Sequence, residues 1–424
     1  MALHPAEAFR RAGWISDNPN VQTKYLQALY TESQKLRSCN GKVGLLSSVQ
    51  AFKDFIENNP VILEDFNKMF EEATSDEPPR DYQELILMLN LIFREAPRFG
   101  SFGPPVYMLM AKTMNTKSGF SVYSKEEMNF QFKKMFETWT LFLTSRDSRS
   151  VITTSEGGWL CSAAQMAMMR EYDGATFEEV FICDPEDSYY GFTSYEDFFT
   201  RRFRNPQKHR PTGPPGDLRA ISAPCESTVY AYQTNVGEAD ELYIKDEAYS
   251  LIQLLDADPY TNKFIGGSVL QGFLNTTGYH RWHSPVNGWI RKIVDVPGTY
   301  FLQAENTLNS RIPPPESDDP PPYLRSLRYF AHTAARQLIF IEADNPKLGL
   351  VCFIAIGMTE ISTCQASVYE GQHIVRGDEL GTFHFGGSSF ALVFKAGANI
   401  RMEEEYTVLG AVLRINKCIA TIDL

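Results

Sequence analysis

Two glycines followed by two serines stand near the C-terminal end of the chain, and their chemistry is open to two interpretations. They occupy positions 386–389, within a stretch flanked by segments rich in β-branched and aromatic residues. Glycine and serine dominate turns in general, so a flexible connection between two strands is the first interpretation. The second is chemical, because glycine permits the strained backbone that lets a serine hydroxyl reach the carbonyl of the residue before it.

Attack by such a hydroxyl would convert the peptide bond before the serine into an ester. Elimination then gives dehydroalanine, and hydrolysis leaves a pyruvoyl group at the start of the C-terminal fragment. A carbonyl of this kind condenses with a substrate amine to a Schiff base and accepts the electron pair released by decarboxylation, the role that pyridoxal phosphate has elsewhere. The cluster therefore predicts a cofactor made from the protein itself, without pyridoxal phosphate.

A serine that reacts in this way needs a base, and two of the seven histidines lie three residues apart in one segment. His280 and His283 stand within Gly278–Gly288, flanked by aromatic residues. A histidine oriented by a carboxylate is the usual means of activating a serine. A pair of structural histidines in a loop before a strand is the alternative interpretation. We predict no metal site, because further ligands for the pair are not evident.

Several other classes of protein are disfavoured by composition and by absent signatures. The sequence has no GxSxG, GxxxxGK[ST] or HExxH motif. Its 40 basic and 52 acidic residues give a net charge of −12, which disfavours nucleic acid and stable membrane association. Seven cysteines without a CxxC motif argue against a disulfide framework or a zinc ribbon. With no export signal recognised at the N-terminus, a cytoplasmic protein is expected.

The elements that must position these residues fall into two parts. Apolar residues recur at helical spacing from about residue 6 to residue 146, and Pro60 and Gly100–Pro105 are interpreted as turns and helix stops, which gives five or six helices. After a second helical stretch, β-rich runs dominate from Ala220 onward. Strands are predicted at Val269–Phe273, Trp289–Val294, Gln337–Glu342, Leu350–Ile356 and Tyr406–Ile415. The prediction is an α+β protein with a helical domain at 1–146 and a mainly β catalytic domain at 147–424.

Two segments, taken together, resemble the pyruvoyl-dependent phosphatidylserine decarboxylase family. Residues 279–288, YHRWHSPVNG, match the family pattern YHRxHxPV(D/N)G, and residues 377–389, GDELGTFHFGGSS, match GxExGxFxxGS(T/S) with one extra residue. The segment YEDFFTR at 195–201, followed by Arg210-Pro211, is a looser match to the family's FxxFFxR and RP segments. The resemblance covers about residues 140–424 and implies a phosphatidylserine-decarboxylase-like fold for the β part.

The resemblance also implies a role for each candidate residue. It places self-cleavage at the bond between Gly387 and Ser388 and makes Ser388 the preferred precursor of the pyruvoyl group, with the adjoining Ser389 as the alternative. It implies that His283 is the base for cleavage and that His280 handles the carboxylate or the proton during decarboxylation. The two histidine roles are open to exchange.

The carboxylate that orients the histidine is the main departure from the family pattern. The family has an aspartate in a PADGxV segment, whereas the matching stretch here, PCESTV at 224–229, has Glu226. A glutamate can hold an imidazole if its extra methylene is accommodated. Alternatively, Glu226 is an exposed carboxylate at the end of a strand. If the change abolished processing, the chain would be a silent binding protein. A serine hydrolase using Ser388 or Ser389 with His283 is a further alternative.

Stretches throughout the chain, such as GPPVYMLMAK at 103–112 and IGMTEIST at 356–363, resemble a branch of this family, known from mushrooms, that acts on free L-tryptophan. The resemblance implies that glutamate is the normal residue at position 226 in that branch. It further implies a self-processing decarboxylase of a free aromatic L-amino acid, a small-molecule substrate, with L-tryptophan giving tryptamine and CO2. A phosphatidylserine decarboxylase that makes phosphatidylethanolamine is the alternative, and it predicts lipid dependence.

Overall fold

The N-terminal part of the chain is helical, as predicted. The computed structural model describes residues 4–16, 18, 20–38, 44–100, 104–239, 249–311, 313, 317–360, 363–385 and 389–422. Eight α-helices are found before residue 146 in these ranges: α1 (Pro5–Arg11), α2 (Asn20–Ser38), α3 (Ser47–Glu57), α4 (Pro60–Glu72), α5 (Tyr82–Ile92), α6 (Pro105–Met114), α7 (Lys117–Tyr123) and α8 (Glu126–Leu143). Local capping defines some of their ends, since the Asp81 carboxylate accepts a hydrogen bond from the backbone N–H of Glu84 at 2.7 Å.

The expected number of five or six helices was too low, and two prolines that were interpreted as breaks are the first residues of helices. Pro60 is the first residue of α4 and Pro105 is the first residue of α6. The first helical position needs no N–H donor, and the fixed φ of proline suits it. In both places, the proline between two apolar runs is the first residue of the helix that the second run forms.

A group of short helices leads from the helical part to the strands. These are α9 (Ser162–Met169), α10 (Phe177–Val180), α11 (Tyr195–Phe199) and α12 (Pro206–His209). The hydroxyl of Ser194 caps α11 by accepting from the N–H of Asp197 at 3.0 Å. The first strand begins at Ala220, where the sequence predicted the change to β structure.

From Ala220 onward, the described residues include strands with a few short helices between them. The strands are β1 (Ala220–Ser222), β2 (Ser227–Thr234), β3 (Ser268–Leu274), β4 (Arg281–His283), β5 (Gly288–Val296), β6 (Arg336–Ala343), β7 (Leu350–Ile356), β8 (Cys364–Ala366), β9 (His373–Ile374), β10 (Glu379–Phe383), β11 (Ser389–Phe394), β12 (Arg401–Met402), β13 (Val412–Leu413) and β14 (Cys418–Thr421). The helices are α13 (Leu251–Leu254), α14 (Pro322–Arg325) and α15 (Leu327–Thr333).

The strands form one large and two small antiparallel sheets. The large sheet has the order β13-β2-β3-β11-β7-β6-β5-β9, and the small sheets are β4-β10-β8 and β1-β14-β12. In the large sheet β11 lies between β3 and β7, with Ser389 opposite Phe273 and Ile356. Strand β10 pairs with β4, which carries His283, in a small sheet. The connection from β10 to β11, in which the predicted cleavage site falls, therefore joins two different sheets.

Side chains of the helical and β parts are buried against one another. The ring of Phe9 in α1 lies 4.6 Å from that of Phe273 in β3, and the ring of Trp139 in α8 lies 5.3 Å from that of Phe385, just after β10. Burying one such side chain is worth about 1.5–3 kcal/mol, so the hydrophobic effect holds the helices against the strands. The α+β class is confirmed, while the domain boundary at 146/147 stays a prediction.

Four of the five predicted strands are present, and the fifth is mostly wrong. Strands β3, β5, β6 and β7 coincide with their predicted segments to within two residues at each end. In the segment Tyr406–Ile415, only Val412–Leu413 form a strand, and residues 404–407 form a short 3₁₀ helix. Gly410 lies in a turn within this segment, and its φ of +90° interrupts an extended run.

Candidate active site

Ser389 begins the central strand β11, and its hydroxyl is held by the neighbouring strand β3. It accepts a hydrogen bond from Nε2 of Gln271 at 3.1 Å and donates one to the carbonyl of Gly272 at 3.0 Å. The residue is fully buried. Gly387 and Ser388, the other two predicted cleavage residues, lie outside the described residues. Of the two candidate serines, the one that the structure describes is therefore engaged by the sheet rather than by a histidine.

His283 is held in one tautomer by its two hydrogen bonds. Its Nδ1 lies 2.7 Å from the carbonyl oxygen of Gly377, which can only accept, so Nδ1 carries the proton. Its Nε2 lies 3.0 Å from the hydroxyl of Tyr279 and accepts from it. Burial lowers the pKa of His283 below its ordinary value, which keeps the ring neutral. The ring thus presents a basic Nε2, as a general base requires.

His280 is almost completely buried and stacks on an aromatic ring. Its ring centroid lies 4.0 Å from that of Phe199 in α11, and neither ring nitrogen has a hydrogen bond of good geometry among the described residues. Burial, followed by the charge of Arg201, lowers the pKa of His280 well below its ordinary value, and backbone groups of Asn275 and Gly278 oppose this only partly. A buried polar group without partners is costly unless a ligand satisfies it.

Backbone contacts place His280 beside the predicted cleavage connection. The N–H of Phe383, the last residue of β10, donates to the carbonyl of His280 at 3.0 Å. On its other side, the guanidinium of Arg201 donates to the carbonyls of Thr277 and Gly278 at 2.8 and 2.9 Å. The YEDFFTR segment therefore fixes the turn that carries His280, which explains why an arginine ends that segment.

Glu226 lies near the histidines but does not hold either of them directly. Its carboxylate forms a buried ion pair with Arg210, with Nη2 3.2 Å from Oε2, and accepts from the N–H of Ile415 at 3.0 Å. The backbone N–H of His283 donates to the carbonyl of Pro224, two residues before Glu226. The prediction that Glu226 forms a hydrogen bond with His283 is therefore corrected. Both ring nitrogens of His283 bond to other groups, and the carboxylate of Glu226 pairs with Arg210. The alternative of an exposed carboxylate is wrong too, since Glu226 is buried.

Sequence reasoning missed a second carboxylate and histidine, which meet just before the cleavage connection. Nδ1 of His384 donates to Oε1 of Glu196 at 2.8 Å, and the N–H of Phe385 donates to Oε2 at 3.4 Å. Glu196 is buried, with 5% of its surface exposed. The available signal was an acidic residue within an otherwise aromatic stretch of YEDFFTR, because a buried carboxylate requires a partner.

Two further observations concern ligands and membranes. Among the described residues, no group of three or more His, Cys, Asp or Glu side chains is arranged to hold a metal ion. Over the same ranges, no helix has the length and apolar character needed to cross a bilayer. The cytoplasmic location and the lack of a nucleic-acid partner stay predictions.

Comparisons of the sequence with known proteins identify its family. A sequence model described as phosphatidylserine decarboxylase matches residues 195–412, and a second model of that description matches residues 46–168. The chain therefore belongs to the phosphatidylserine decarboxylase family, as the motifs predicted.

Individual relatives cover nearly the whole chain. The L-tryptophan decarboxylase of Psilocybe cubensis is 50% identical over 423 residues, and that of Psilocybe cyanescens is 51% identical over 426 residues; each alignment covers 98% of this chain and 95% of the relative. A decarboxylase of Amanita muscaria is 39% identical over 336 residues, 76% of this chain and 92% of that protein. Relatives named phosphatidylserine decarboxylase proenzymes match about half of this chain at 24–30% identity. The predicted resemblance to the tryptophan-decarboxylating branch is thus confirmed.

Proposed function

We propose that the chain is a self-processing decarboxylase that converts L-tryptophan to tryptamine and CO2. The observation that carries the substrate is the similarity, over 98% of the chain, to relatives named L-tryptophan decarboxylases. The phosphatidylserine decarboxylase alternative has weaker support, since those relatives match only about half of the chain. The name proenzyme, carried by several of these relatives, supports a chain that is cleaved before it acts.

We assign Ser388 as the residue that is converted to a pyruvoyl group. The hydroxyl of Ser389 is already bound to Gln271 and Gly272 within the sheet, which favours its neighbour as the reacting serine. The pyruvoyl group, once formed, supplies an electron-accepting carbonyl next to a substrate amine. The buried ring nitrogens of His280 lack a hydrogen bond of good geometry among the described residues, so a polar ligand can complete them, which fits a site of this kind.

His283 is the proposed base for self-cleavage. Its unprotonated Nε2, once released from the Tyr279 hydroxyl, takes the hydroxyl proton of the serine. The serine oxygen bonds to the carbonyl carbon of Gly387 while the C–N bond breaks and the nitrogen receives the proton. Loss of the serine α-proton then releases the Gly387 carboxylate and leaves dehydroalanine. Water completes the reaction and frees ammonia. The carbonyl of Gly377 fixes the tautomer that this sequence requires.

His280 is the proposed partner of the substrate carboxylate. In an apolar setting beside Phe199, a neutral imidazole N–H can bind the carboxylate, whose charge in turn favours protonation of the ring. Loss of CO2 removes that charge and leaves His280 able to return a proton to the substrate Cα. Burial serves both steps, since water is kept from competing for the proton.

Intact-mass spectrometry of the denatured, purified chain tests the processing. We expect a C-terminal fragment that begins at residue 388, ends at residue 424 and lacks the serine nitrogen. A fragment that begins at residue 389 would keep the mechanism and assign Ser389. A single uncut chain of 48.1 kDa would instead support a silent binding protein, or a serine hydrolase if a fluorophosphonate probe labels it.

Product analysis tests the substrate. The processed protein, without added lipid, should release tryptamine and CO2 in equal amounts from L-tryptophan. Vesicles of phosphatidylserine serve as the competing substrate. Turnover of the vesicles without turnover of L-tryptophan would replace the proposed function by the alternative.

A further inference from the structure

An aromatic cavity of about 230 Å³ lies between the N-terminal helices and the end of β10. Helix α2 contributes Tyr25, Leu29 and Glu32, which are spaced so that they share one helical face. The opposite walls include Trp139, Trp159 and Phe385. The cavity thus has aromatic sides, and one of them belongs to the segment that leads into the cleavage site.

Both tryptophan rings in the wall are fixed by the same loop after α5. The indole N–H of Trp139 donates to the carbonyl of Glu95 at 3.2 Å, and that of Trp159 donates to the carbonyl of Pro97 at 2.7 Å. Both indole N–H groups therefore have backbone acceptors, and the carbon atoms of the two rings give the cavity wall apolar surface. A preformed apolar site of this kind binds a ligand ring without reorganisation.

A continuous series of ring contacts joins the cavity to His280. Phe385 lies 5.3 Å from Trp139 and 5.5 Å from Phe199, and Phe199 stacks on His280 at 4.0 Å. Ser388 follows Phe385 by three residues, so the two Cα atoms are at most about 11 Å apart. A substrate whose amine reacts at position 388 can therefore place its side chain beside Phe385.

We propose that this cavity binds the indole ring of the substrate, an inference that rests on the proposed function. An apolar cavity of about 150 Å³ in another protein accommodates benzene, and the larger volume here has room for the bicyclic indole ring. The charged side chains in the cavity lining, Glu32, Glu95 and Arg98, are all exposed to solvent. The N-terminal helices then supply substrate specificity, while the strands supply the chemistry.

A second, smaller cavity of about 140 Å³ provides a matched comparison. It shares Thr276 and Thr277 with the aromatic cavity but is lined by charged groups, among them Arg10, Arg170 and Glu226. An indole ring gains little by entering a site lined by ionised groups, which lose hydration if the ring displaces water. Each cavity also has one alanine in its wall, Ala96 in the aromatic cavity and Ala167 in the second.

The test compares Ala96→Leu with Ala167→Leu in the processed, full-length protein. Ala96→Leu fills the aromatic cavity, so we expect the KM for L-tryptophan to rise about tenfold or more, and inhibition by 3-indolepropionate, which lacks the amine, to weaken in parallel. Ala167→Leu should change both quantities less than about twofold. Leu29→Phe, a second filling variant on α2, should reproduce the effect of Ala96→Leu.

Self-cleavage separates a folding defect from a binding defect, because cleavage needs the folded chain but no substrate. If Ala96→Leu and Leu29→Phe are cleaved normally and keep the parent KM and inhibition, the cavity does not bind the ring. If Ala167→Leu is the variant that weakens both, the ring lies in the second cavity and the proposal is wrong. Failure of the proposed function looks different, since the parent protein would then be cleaved yet release no tryptamine.

Discussion

Glu196 in α11 holds both His384 and the backbone of Phe385, so one buried carboxylate anchors the two residues that precede the cleavage connection. The Nδ1–Oε1 distance is 2.8 Å, and the backbone N–H of Phe385 lies 3.4 Å from Oε2. At the other end of the connection, Gln271 and Gly272 hold the hydroxyl of Ser389. The bond predicted to break thus lies, along the chain, between two points that the described residues hold in place.

Replacing Glu196 is expected to slow self-cleavage. Glu196→Ala removes a charge-assisted hydrogen bond worth about 1.5–3 kcal/mol, so the first-order rate of cleavage should fall about tenfold or more in a time course of freshly synthesised chain. Glu196→Gln keeps one acceptor and should lie between Glu196→Ala and the parent. The neighbouring Asp197 binds Thr193 instead, so Asp197→Ala is the matched control. Equal cleavage rates for Glu196→Ala and Asp197→Ala would remove the anchoring role.

The carbonyl of Gly377 sets the tautomer of His283, and its position depends on a backbone that favours glycine. Gly377 has a φ of +92°, and an added Cβ would overlap the methyl group of Thr212. We expect Gly377→Ala to displace the carbonyl and to slow cleavage by at least about tenfold. Gly371 has a φ of +85° and open space around its Cβ position, so an alanine there adds backbone strain without displacing a neighbouring group. Gly371→Ala should cost about 1 kcal/mol of stability and leave the cleavage rate close to that of the parent.

Much of the β part could be predicted from sequence because its strands are local and buried. Strand β7 (Leu350–Ile356) is apolar throughout and lies inside the large sheet, so a continuous run of apolar residues identified it. Pro60 and Pro105 were interpreted as breaks for a physical reason. Proline disrupts the interior of a helix but suits its first position, and the residue type alone does not show which of the two applies.

Some residues of the candidate site could likewise be predicted from the sequence, and some of their contacts could not. His280 and His283 were found because they share one short segment. The partner of Glu226 was missed because the family pattern names a histidine, whereas the folded chain brings Arg210 to the same carboxylate. The pair of Glu196 and His384 is separated by 188 residues, and no local spacing encodes a contact at that distance. Only the packing of α11 against the end of β10 brings the two side chains together.

The lowered pKa values of the buried histidines predict how cleavage and stability depend on pH. Burial lowers the pKa of both His280 and His283 below the ordinary value of 6.5, so the unfolded chain binds protons more readily than the folded chain as the pH falls through 6.5. The free energy of unfolding should therefore decrease below about pH 6.5 and be insensitive to these groups above it. Buried His332, whose pKa is lowered to about 3, adds to the same trend.

The cleavage rate should follow the protonation of the base. Because Nε2 of His283 stays unprotonated below pH 6.5, the acidic limb of the rate profile should lie below that value. Rates measured by quenched time courses between about pH 4.5 and 8, alongside urea unfolding of an uncleaved variant, check both statements. A limb centred at or above 6.5 would contradict a buried neutral histidine as the base.

Single substitutions distinguish the roles of the two histidines. His283→Ala should stay uncut, because it removes the base, whereas His280→Ala should be cut yet release tryptamine at least about 100-fold more slowly. Ser388→Ala should give one uncut, inactive chain. Denaturing gels report cleavage, and product analysis reports turnover. A cut and active Ser388→Ala protein would move the reacting position to Ser389, and the opposite pattern for the histidines would exchange their roles.

Variants of the ion pair between Arg210 and Glu226 test whether Glu226 supports the fold or acts directly in cleavage. Both side chains are buried, and the ring of Tyr172 packs on the guanidinium at 4.2 Å. Glu226→Ala leaves that charge without its partner, so the free energy of unfolding, measured by urea titration in the uncleaved Ser388→Ala background, should fall by about 3–5 kcal/mol. Adding Arg210→Met removes the stranded charge and should recover a substantial part of this loss.

Cleavage of the same variants with Ser388 restored completes the comparison. If Glu226 acts by neutralising the buried charge of Arg210, the double variant Glu226→Ala/Arg210→Met should regain self-cleavage as it regains stability. If Glu226 orients His283 directly, the double variant would be stable but uncut, because the carboxylate is still missing. Stability and cleavage that recover together therefore support the ion pair as a scaffold for the site, and recovery of stability alone returns Glu226 to the role that the family pattern implies.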